Sequence, residues 1–249
     1  MKNPVLENIS RRRSIRRFKP KPVSRKAINQ IVEAAQRAPT ACGMQTYSFI
    51  LITNQQIRKE IYNAIGEQQW MKQAPVWIMI CADMTRQLQL FKLLRVETRF
   101  GPLSMLLSAV IDAALAAENM VIAADALGLG SVFIGSVWGN LKGVAKILKL
   151  PKSVLPIVLI CLGYPNENPP TRPRWPLEAV LHENEYKMPS KELMKKYYTE
   201  ANQQLVEMRY FRRGVRNWAE HWQRKFPLSE MNKWEKQLRE DLRELGFVP

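Results

Sequence analysis

Five cationic side chains fall within the eight residues Arg11–Phe18: Arg11, Arg12, Arg13, Arg16 and Arg17. Ser14 and Ile15 sit among them, and Phe18 closes the run ahead of Lys19-Pro20-Lys21-Pro22. Two kinds of chemistry are open to such a stretch. As a solvated arm it attracts polyanions nonspecifically, because clustered Lys and Arg meet phosphate backbones. As an ordered segment it holds a single phosphate through charge-assisted hydrogen bonds, since guanidinium forks match phosphate oxygens and Ser14 adds a hydroxyl donor. Taken alone, a basic surface is the commoner outcome. Arg172 and Arg174, in a second cationic stretch, read by themselves as loop solubility. Gly128 and Gly130 read as a helix stop and a turn.

Other chemistry is scarce. Cys42, Cys81 and Cys161 lie far apart with no Cys-x-x-Cys pair, and the chain has 2 histidines, His182 and His221. No structural metal site and no disulfide framework are expected, and a reducing cytoplasm fits best. Cys42 reads as a small buried residue rather than a redox thiol. Both histidines read as structural or surface residues. Neither a Gly-x-Gly-x-x-Gly fingerprint nor a Walker motif is present, so a bound phosphate would depend on arginines rather than on a glycine loop at a helix N-terminus.

The elements that must position these residues follow from periodicity. Pro4 to Ser10 predicts a short helix delivering the basic run. Ser24 is placed as the N-cap of a helix through Arg37, with Ile28, Ile31, Val32 and Ala35 at helical spacing and Pro39 as its stop. A turn-rich stretch from Ala38 to Gln45 leads to a β-branched and aromatic strand at Tyr47–Thr53. Helical spacing returns from Asn54 to about Gln68, and a second strand follows at Val76–Ala82. Met84 to Arg99 predicts a helix or an irregular basic segment. Leu103 to Leu127 predicts a long helix, apolar nearly all round and therefore covered on most sides. Asp112, Glu118 and Asp125 mark it as a buried helix rather than a membrane span. Ser131–Gly135 and Leu155–Leu162 read as strands, with a helix at Leu141–Leu148 between them. A stiff loop then carries prolines at 165, 169, 170, 173 and 176. Charged helices follow at Lys191–Arg213, Asn217–Arg224 and Ser229–Leu245, with Trp218, Trp222 and Trp234 suggesting contact with a partner subunit.

With 249 residues, 46% of them hydrophobic and 24% charged, the chain can bury a large core. The boundaries expected are a main domain over residues 1–189 and a helical extension over 190–249. Lys plus Arg at 38 against Asp plus Glu at 22 leaves +16, a field that favours anionic ligands. The N-terminal charges come too late, with no apolar run behind them, for a signal peptide.

Arg12-Arg13-Ser14-Ile15-Arg16-Arg17-Phe18, then Ala38-Pro39-Thr40 with Gln45 beyond it, then Gly128-Leu129-Gly130-Ser131-Val132-Phe133-Ile134-Gly135-Ser136, resemble the flavin-binding landmarks of the nitroreductase family. Leu162-Gly163-Tyr164-Pro165, Arg172-Pro173-Arg174-Trp175-Pro176-Leu177 and His182-Glu183-Asn184-Glu185-Tyr186 resemble its oxygen-insensitive, often NADPH-preferring branch of nitroreductases and flavin reductases. The resemblance implies an α+β fold with a central mixed sheet flanked by helices. It also implies an intertwined homodimer onto which the C-terminal helices pack, with FMN bound at the interface. Arg12, Ser14 and Arg16 match positions holding the FMN phosphate, ribityl chain and pyrimidine edge, and Arg13 matches a position that binds through its backbone. Thr40 and Gln45 match residues near the flavin, and Gln69 to Gln73 match a segment reaching across from the other subunit. Phe133, Ile134, Gly135 and Ser136 match the strand end along the isoalloxazine. Arg172 and Arg174 match the cations completing the phosphate site, and Arg212 or Arg213 a position for the NADPH phosphate. Gly43 and Thr46-Tyr47 depart from the Asn and Pro-Trp common in the family.

The activity implied is hydride transfer from NADPH or NADH, through bound FMN, to nitro compounds, quinones or free flavin by a ping-pong mechanism. Arg16 would stabilise the reduced flavin, and no residue is needed as acid or base. The partners implied are small-molecule electron acceptors, with no specific nucleic acid, membrane or metal. Two other readings stand beside it: a basic nucleic-acid-binding protein without flavin, and the same fold performing another flavin reaction such as reductive dehalogenation.

Overall fold

The structure is a computed structural model and describes residues 3–66, 68–97 and 101–248. Positions 67, 98 and 99, which the helix predicted to about Gln68 and the segment predicted to Arg99 include, lie outside the described residues. By contacts the chain divides into two compact units, Met1–Pro169 with Trp234–Pro249, and Pro170–Lys233.

The first unit is built on strands β1 (Tyr47–Leu51), β2 (Val76–Asp83), β3 (Gly130–Ile134) and β4 (Val154–Gly163), in the order β1-β2-β4-β3. Every residue of β2 is buried, as its unbroken apolar run from Val76 to Ala82 requires of a strand covered on both faces. Ile78 pairs with Ile160, and Val132 with Cys161. All three strand pairings are antiparallel, whereas a mixed sheet was expected. Two helical segments join β1 to β2 and β3 to β4, and each returns the chain into the sheet at the end it left, which makes the neighbouring strands antiparallel. Parallel pairing is confined, among the described residues, to the bridge between Ser14 and Ser131.

Helices α1 (Pro4–Arg11), α2 (Arg25–Ala35), α3 (Gln55–Ala64), α4 (Gln69–Gln73), α5 (Thr85–Leu94), α6 (Pro102–Ala126) and α7 (Leu141–Ile147) complete this unit together with the end of the chain. The Ser24 hydroxyl caps α2 by accepting from the Ala27 N–H at 3.2 Å. Helix α6 packs on the sheet and on α2 through Ala109, Ala113, Ala116, Ala117 and Ala124, small residues that permit close approach. Its other face is open. Leu103, Leu107, Ile111 and Leu115, at four-residue steps, remain exposed. Within the chain, then, the expected cover on most sides of this helix is present on one face only. Its length and apolarity would suffice to cross a membrane, but Asp112 is buried on its packed face.

Helices α8 (Lys191–Glu207) and α9 (Trp218–Lys225) belong to the second unit. Helix α8 stops at Glu207 rather than Arg213, because Arg209 turns left-handed at φ 50°. The Tyr197 ring stacks on Trp175 at 3.8 Å and meets Trp218 at 6.1 Å. Trp218 therefore packs on α8 within this unit. Helix α10 (Leu228–Glu244) carries the chain back into the first unit. There Asp241 accepts from the Lys142 N–H at 3.2 Å, the Leu245 carbonyl accepts from the Ser153 N–H at 2.8 Å, and Phe247 is 1% exposed.

Candidate functional site

The basic run is an ordered segment. Ile15 and Phe18 are buried at 5% and 4% exposure, while Arg12, Arg13, Ser14 and Arg16 are half-buried between the end of α1 and the sheet. The Ile15 N–H donates to the Ser131 carbonyl at 2.8 Å, and the Lys19 N–H to the Tyr164 carbonyl at 2.8 Å. Two glycines admit these anchors. A Cβ on Gly130 would lie 2.5 Å from Ile15 Cγ1, and one on Gly163 would lie 2.9 Å from Phe18 Cδ1. Both glycines therefore serve close packing, a stronger role than the turn expected of Gly130.

Beyond β4 the chain turns back over the run. One Glu167 carboxylate oxygen accepts from the backbone N–H groups of Arg16 and Arg17, and the Arg13 guanidinium donates to the Asn168 side chain. Asp125, at the end of α6, lies near enough to Arg12 and Arg13 to feel both charges, yet burial still raises its pKa above the usual carboxylate value.

The Arg16 guanidinium lies over the Trp70 ring, 5.5 Å from its centroid. Trp70 is the second residue of α4, and Gln68, its N-cap residue, donates through Nε2 to Ser136 Oγ at 2.8 Å. Arg16, Ser136 and α4 are thus neighbours within this chain. The contacts here are made by Gln68 and Trp70, while Gln69 and Gln73 lie exposed on α4. Phe133 is half-buried and Gly135 exposed, but Ile134 is 1% exposed and faces the core, leaving only its backbone for a ligand. Arg13 Nε, Trp70 Nε1 and Ser131 Oγ are buried without a hydrogen-bond partner among the described residues. Buried polar atoms are rarely left so. This donor-rich set suits a ligand rich in acceptor oxygens.

Thr40 and Gln45 belong to a separate cluster. The buried Asp112 carboxylate accepts from the Ala41 N–H at 3.0 Å, the Thr46 N–H at 3.1 Å and the Thr46 hydroxyl at 2.7 Å. Cys42, Gly43 and Gln45 all have positive φ, at 51°, 68° and 53°. The turn carries Cys42 outward, so the thiol expected to be buried is exposed. Cys81 and Cys161 are buried, and burial pushes the Cys81 thiol up to about 12.

In the second unit Arg172 lies over the Tyr210 ring at 4.4 Å, and Arg174 folds back onto the carbonyls of Arg172 and Pro173. Arg212 and Arg213 are exposed in the turn after α8. His221 sits edge-on to Tyr210 at 5.4 Å and beside Phe211 at 6.0 Å. Burial lowers its pKa first, with Lys225, Arg212 and Arg172 adding to the effect. No group of three or more His, Cys, Asp or Glu residues able to hold a metal occurs among the described residues.

Three residues at these sites lay outside the sequence-derived set, Gln68, Asp112 and Glu167, while Trp70 falls within the segment Gln69 to Gln73 without having been singled out. A signal existed only for Asp112, a lone acid in an apolar helix, which must find donors if it is buried.

Comparison with known proteins gives a consistent result. Residues 9–164 match the profile described as Nitroreductase family, and residues 172–248 that described as Nitroreductase family, C-terminal domain. The oxygen-insensitive NADPH nitroreductase of Salmonella typhimurium is 35% identical over 226 residues, 89% of this chain and 90% of that protein. The FMN reductase [NAD(P)H] of Bacillus subtilis is 34% identical over 223 residues, covering 88% of this chain and 89% of its own. Among solved structures, NfrA2 of B. megaterium superposes with a TM-score of 0.89 at 27% identity, over 99% of both chains.

Proposed function

From the premise that the chain belongs to the nitroreductase family, we propose that it is an NAD(P)H-dependent nitroreductase or flavin reductase with FMN as its cofactor. When bound, FMN supplies the carrier that takes hydride from NAD(P)H and passes it to an acceptor. The acceptors we propose are nitro compounds, quinones or free flavin, taken in turn with the nucleotide at one cleft in ping-pong fashion.

The observation that carries this reading is the clamping of the basic run. With Ile15 and Phe18 buried, the chain cannot sway as a solvated arm, and Arg12, Ser14 and Arg16 project from fixed backbone. Arg12 and Ser14 would hold the FMN phosphate and ribityl chain, with Arg13 contributing through its backbone. Arg16, backed by the Trp70 ring, would offset the negative charge that builds up at the pyrimidine edge on reduction. Ser136, fixed by Gln68, and the open backbone at Gly135 would lie along the ring system. Arg172 and Arg174 keep the phosphate role, and Arg212 or Arg213 the NADPH role, that the resemblance gives them. Thr40 and Gln45 would line the flavin's surroundings from the loop that Asp112 organises.

A homodimer and a cytoplasmic location complete the proposal. The uncovered apolar stripe Leu103, Leu107, Ile111 and Leu115 supports the first, and free thiols at Cys42, Cys81 and Cys161 agree with the second.

The test is a titration of flavin-free protein with FMN and with riboflavin, followed by quenching of flavin fluorescence. FMN should bind at least about tenfold more tightly, roughly 1.4 kcal/mol for the phosphate, and Arg12→Ala should narrow the difference. Equal affinities for the two flavins would overturn the phosphate assignment.

A further inference from the structure

Trp70 stands on a helix of only five residues, yet that helix is fastened at several points. Met71 beside it is fully buried, and the Met71 carbonyl accepts from Trp77 Nε1 at 3.0 Å. Trp77, 2% exposed in β2, carries the Arg58 guanidinium over its ring at 5.2 Å, and Arg58 donates to the Ile52 and Pro75 carbonyls at 2.8 Å each. Lys72 Nζ rests over the Tyr62 ring at 4.4 Å, and Gln68 ties the start of α4 to Ser136 at 2.8 Å. The Trp70 ring packs half-buried on the core, with the Arg16 guanidinium 5.5 Å from its centroid. Glu167 holds the backbone N–H of the same arginine. Arg16 is therefore fixed at its backbone by an acid and flanked at its charged end by a ring that cannot itself move away.

We infer that Trp70 is a positioning residue that sets the reduction potential of the bound flavin through Arg16. The inference rests on the FMN-dependent reading above and deepens it. A guanidinium within about 6 Å of an indole centroid is drawn to the negative face of the ring, most strongly where water is partly excluded. An arginine without such a support must give up rotamer freedom when it meets a forming anion; Arg16, already restricted by the ring, gives up less. The oxidised ring system is uncharged at that edge and gains little from the arginine, whereas the reduced one gains much. The support therefore favours the reduced form selectively and raises the potential. A contact that merely held the fold together would loosen oxidised and reduced flavin alike and leave the potential where it was. Trp70 Nε1 makes no hydrogen bond among the described residues, so Trp70→Phe keeps an aromatic face without breaking one.

The midpoint potential of bound FMN, read by equilibration with a reference dye during anaerobic reduction, tests this, with the affinity for oxidised FMN measured alongside. The proteins compared are wild type, Trp70→Phe, Trp70→Leu, Trp70→Met, Arg16→Ala and the double variant Arg16→Ala/Trp70→Leu. Leu and Met keep bulk but lose the ring, and either serves if the other does not fold. Each should weaken the preference for reduced over oxidised flavin about tenfold, a fall of about 30 mV for a two-electron couple. Trp70→Phe should lose less than about half as much. In the Arg16→Ala background, Trp70→Leu should shift the potential no further, which separates action through the arginine from a direct effect of the indole. Equal falls for Phe and Leu, a shift that persists without Arg16, or weaker FMN binding at unchanged potential would each overturn the inference while the flavoenzyme reading stands. A folded wild type that takes up no FMN would end both.

Discussion

Both hydrogen-bond donors of Thr46 end on the Asp112 carboxylate, the backbone N–H at 3.1 Å and the hydroxyl at 2.7 Å. Asp112 is 1% exposed and Thr46 fully buried, so this pair fixes the loop that carries Thr40 and Gln45 from inside the core. A proline at this position would have no N–H to donate, whereas Thr46 supplies two donors to a buried acid.

Asp112→Ala should be the costlier change at this pair. It strands the donors of Ala41 and Thr46 and is expected to cost at least about 3 kcal/mol, against about 1–2 kcal/mol for Thr46→Val, which removes only the hydroxyl. Urea denaturation of both variants near neutral pH checks the order; equal losses would mean that the carboxylate does not organise the loop.

Gly130→Ala places a methyl where Ile15 already sits, 2.5 Å from its Cγ1. Overpacking of this kind is expected to cost about 1–3 kcal/mol and to loosen the anchor of the basic run. Weaker FMN binding at temperatures where the variant remains folded is the expected result, measured by flavin fluorescence. Unaltered affinity would separate the Ile15 clamp from the cofactor site.

Arg16→Ala should slow flavin reduction by NADPH more than it destabilises the fold, because the lost guanidinium acts on developing charge. Stopped-flow reduction of fully FMN-loaded variant and wild type decides this. An unchanged rate at full occupancy would remove Arg16 from the chemistry.

Arg213→Ala should raise KM for NADPH more than for NADH, since only the former carries the 2′-phosphate. Steady-state kinetics with both donors provide the comparison, and equal effects would move that contact away from Arg213.

Stability should fall with pH on account of His221. Its folded pKa lies below its unfolded value, so the unfolded chain binds more protons; the penalty appears as pH drops below about 6.5 and grows until the folded group itself titrates. The ring is only partly buried, which limits the effect to the order of a few tenths of a kcal/mol. His221→Gln should flatten this part of a Tm-against-pH profile, and an unchanged slope would assign the loss to other groups.

The strands could be read directly from the sequence because Tyr47–Leu51, Val76–Ala82 and Leu155–Leu162 are β-branched or aromatic runs long enough to leave no other use. Arg12, Ser14 and Arg16 were legible as a motif, but their rigidity was not, since it depends on Gly130 and Gly163 admitting Ile15 and Phe18 from more than 100 residues away in sequence. Helix α4 gives no periodic signal over five residues, so Gln68 escaped notice and Trp70 was not distinguished within the segment Gln69 to Gln73. Phe247 returns to the core after a helix that is charged along most of its length, a long-range contact that local periodicity cannot encode. The bare face of α6, with Leu103, Leu107, Ile111 and Leu115, is as apolar as its alanine-rich buried face, which is why hydropathy alone predicted cover on most sides.

The most direct test is the visible spectrum of the purified protein, followed under anaerobic conditions through addition of NADPH and then NADH. An oxidised-flavin spectrum that bleaches with nucleotide is the predicted result and would establish cofactor and donor together. A folded protein that stays colourless after reconstitution with FMN would contradict the assignment and return the basic run to a surface for polyanions.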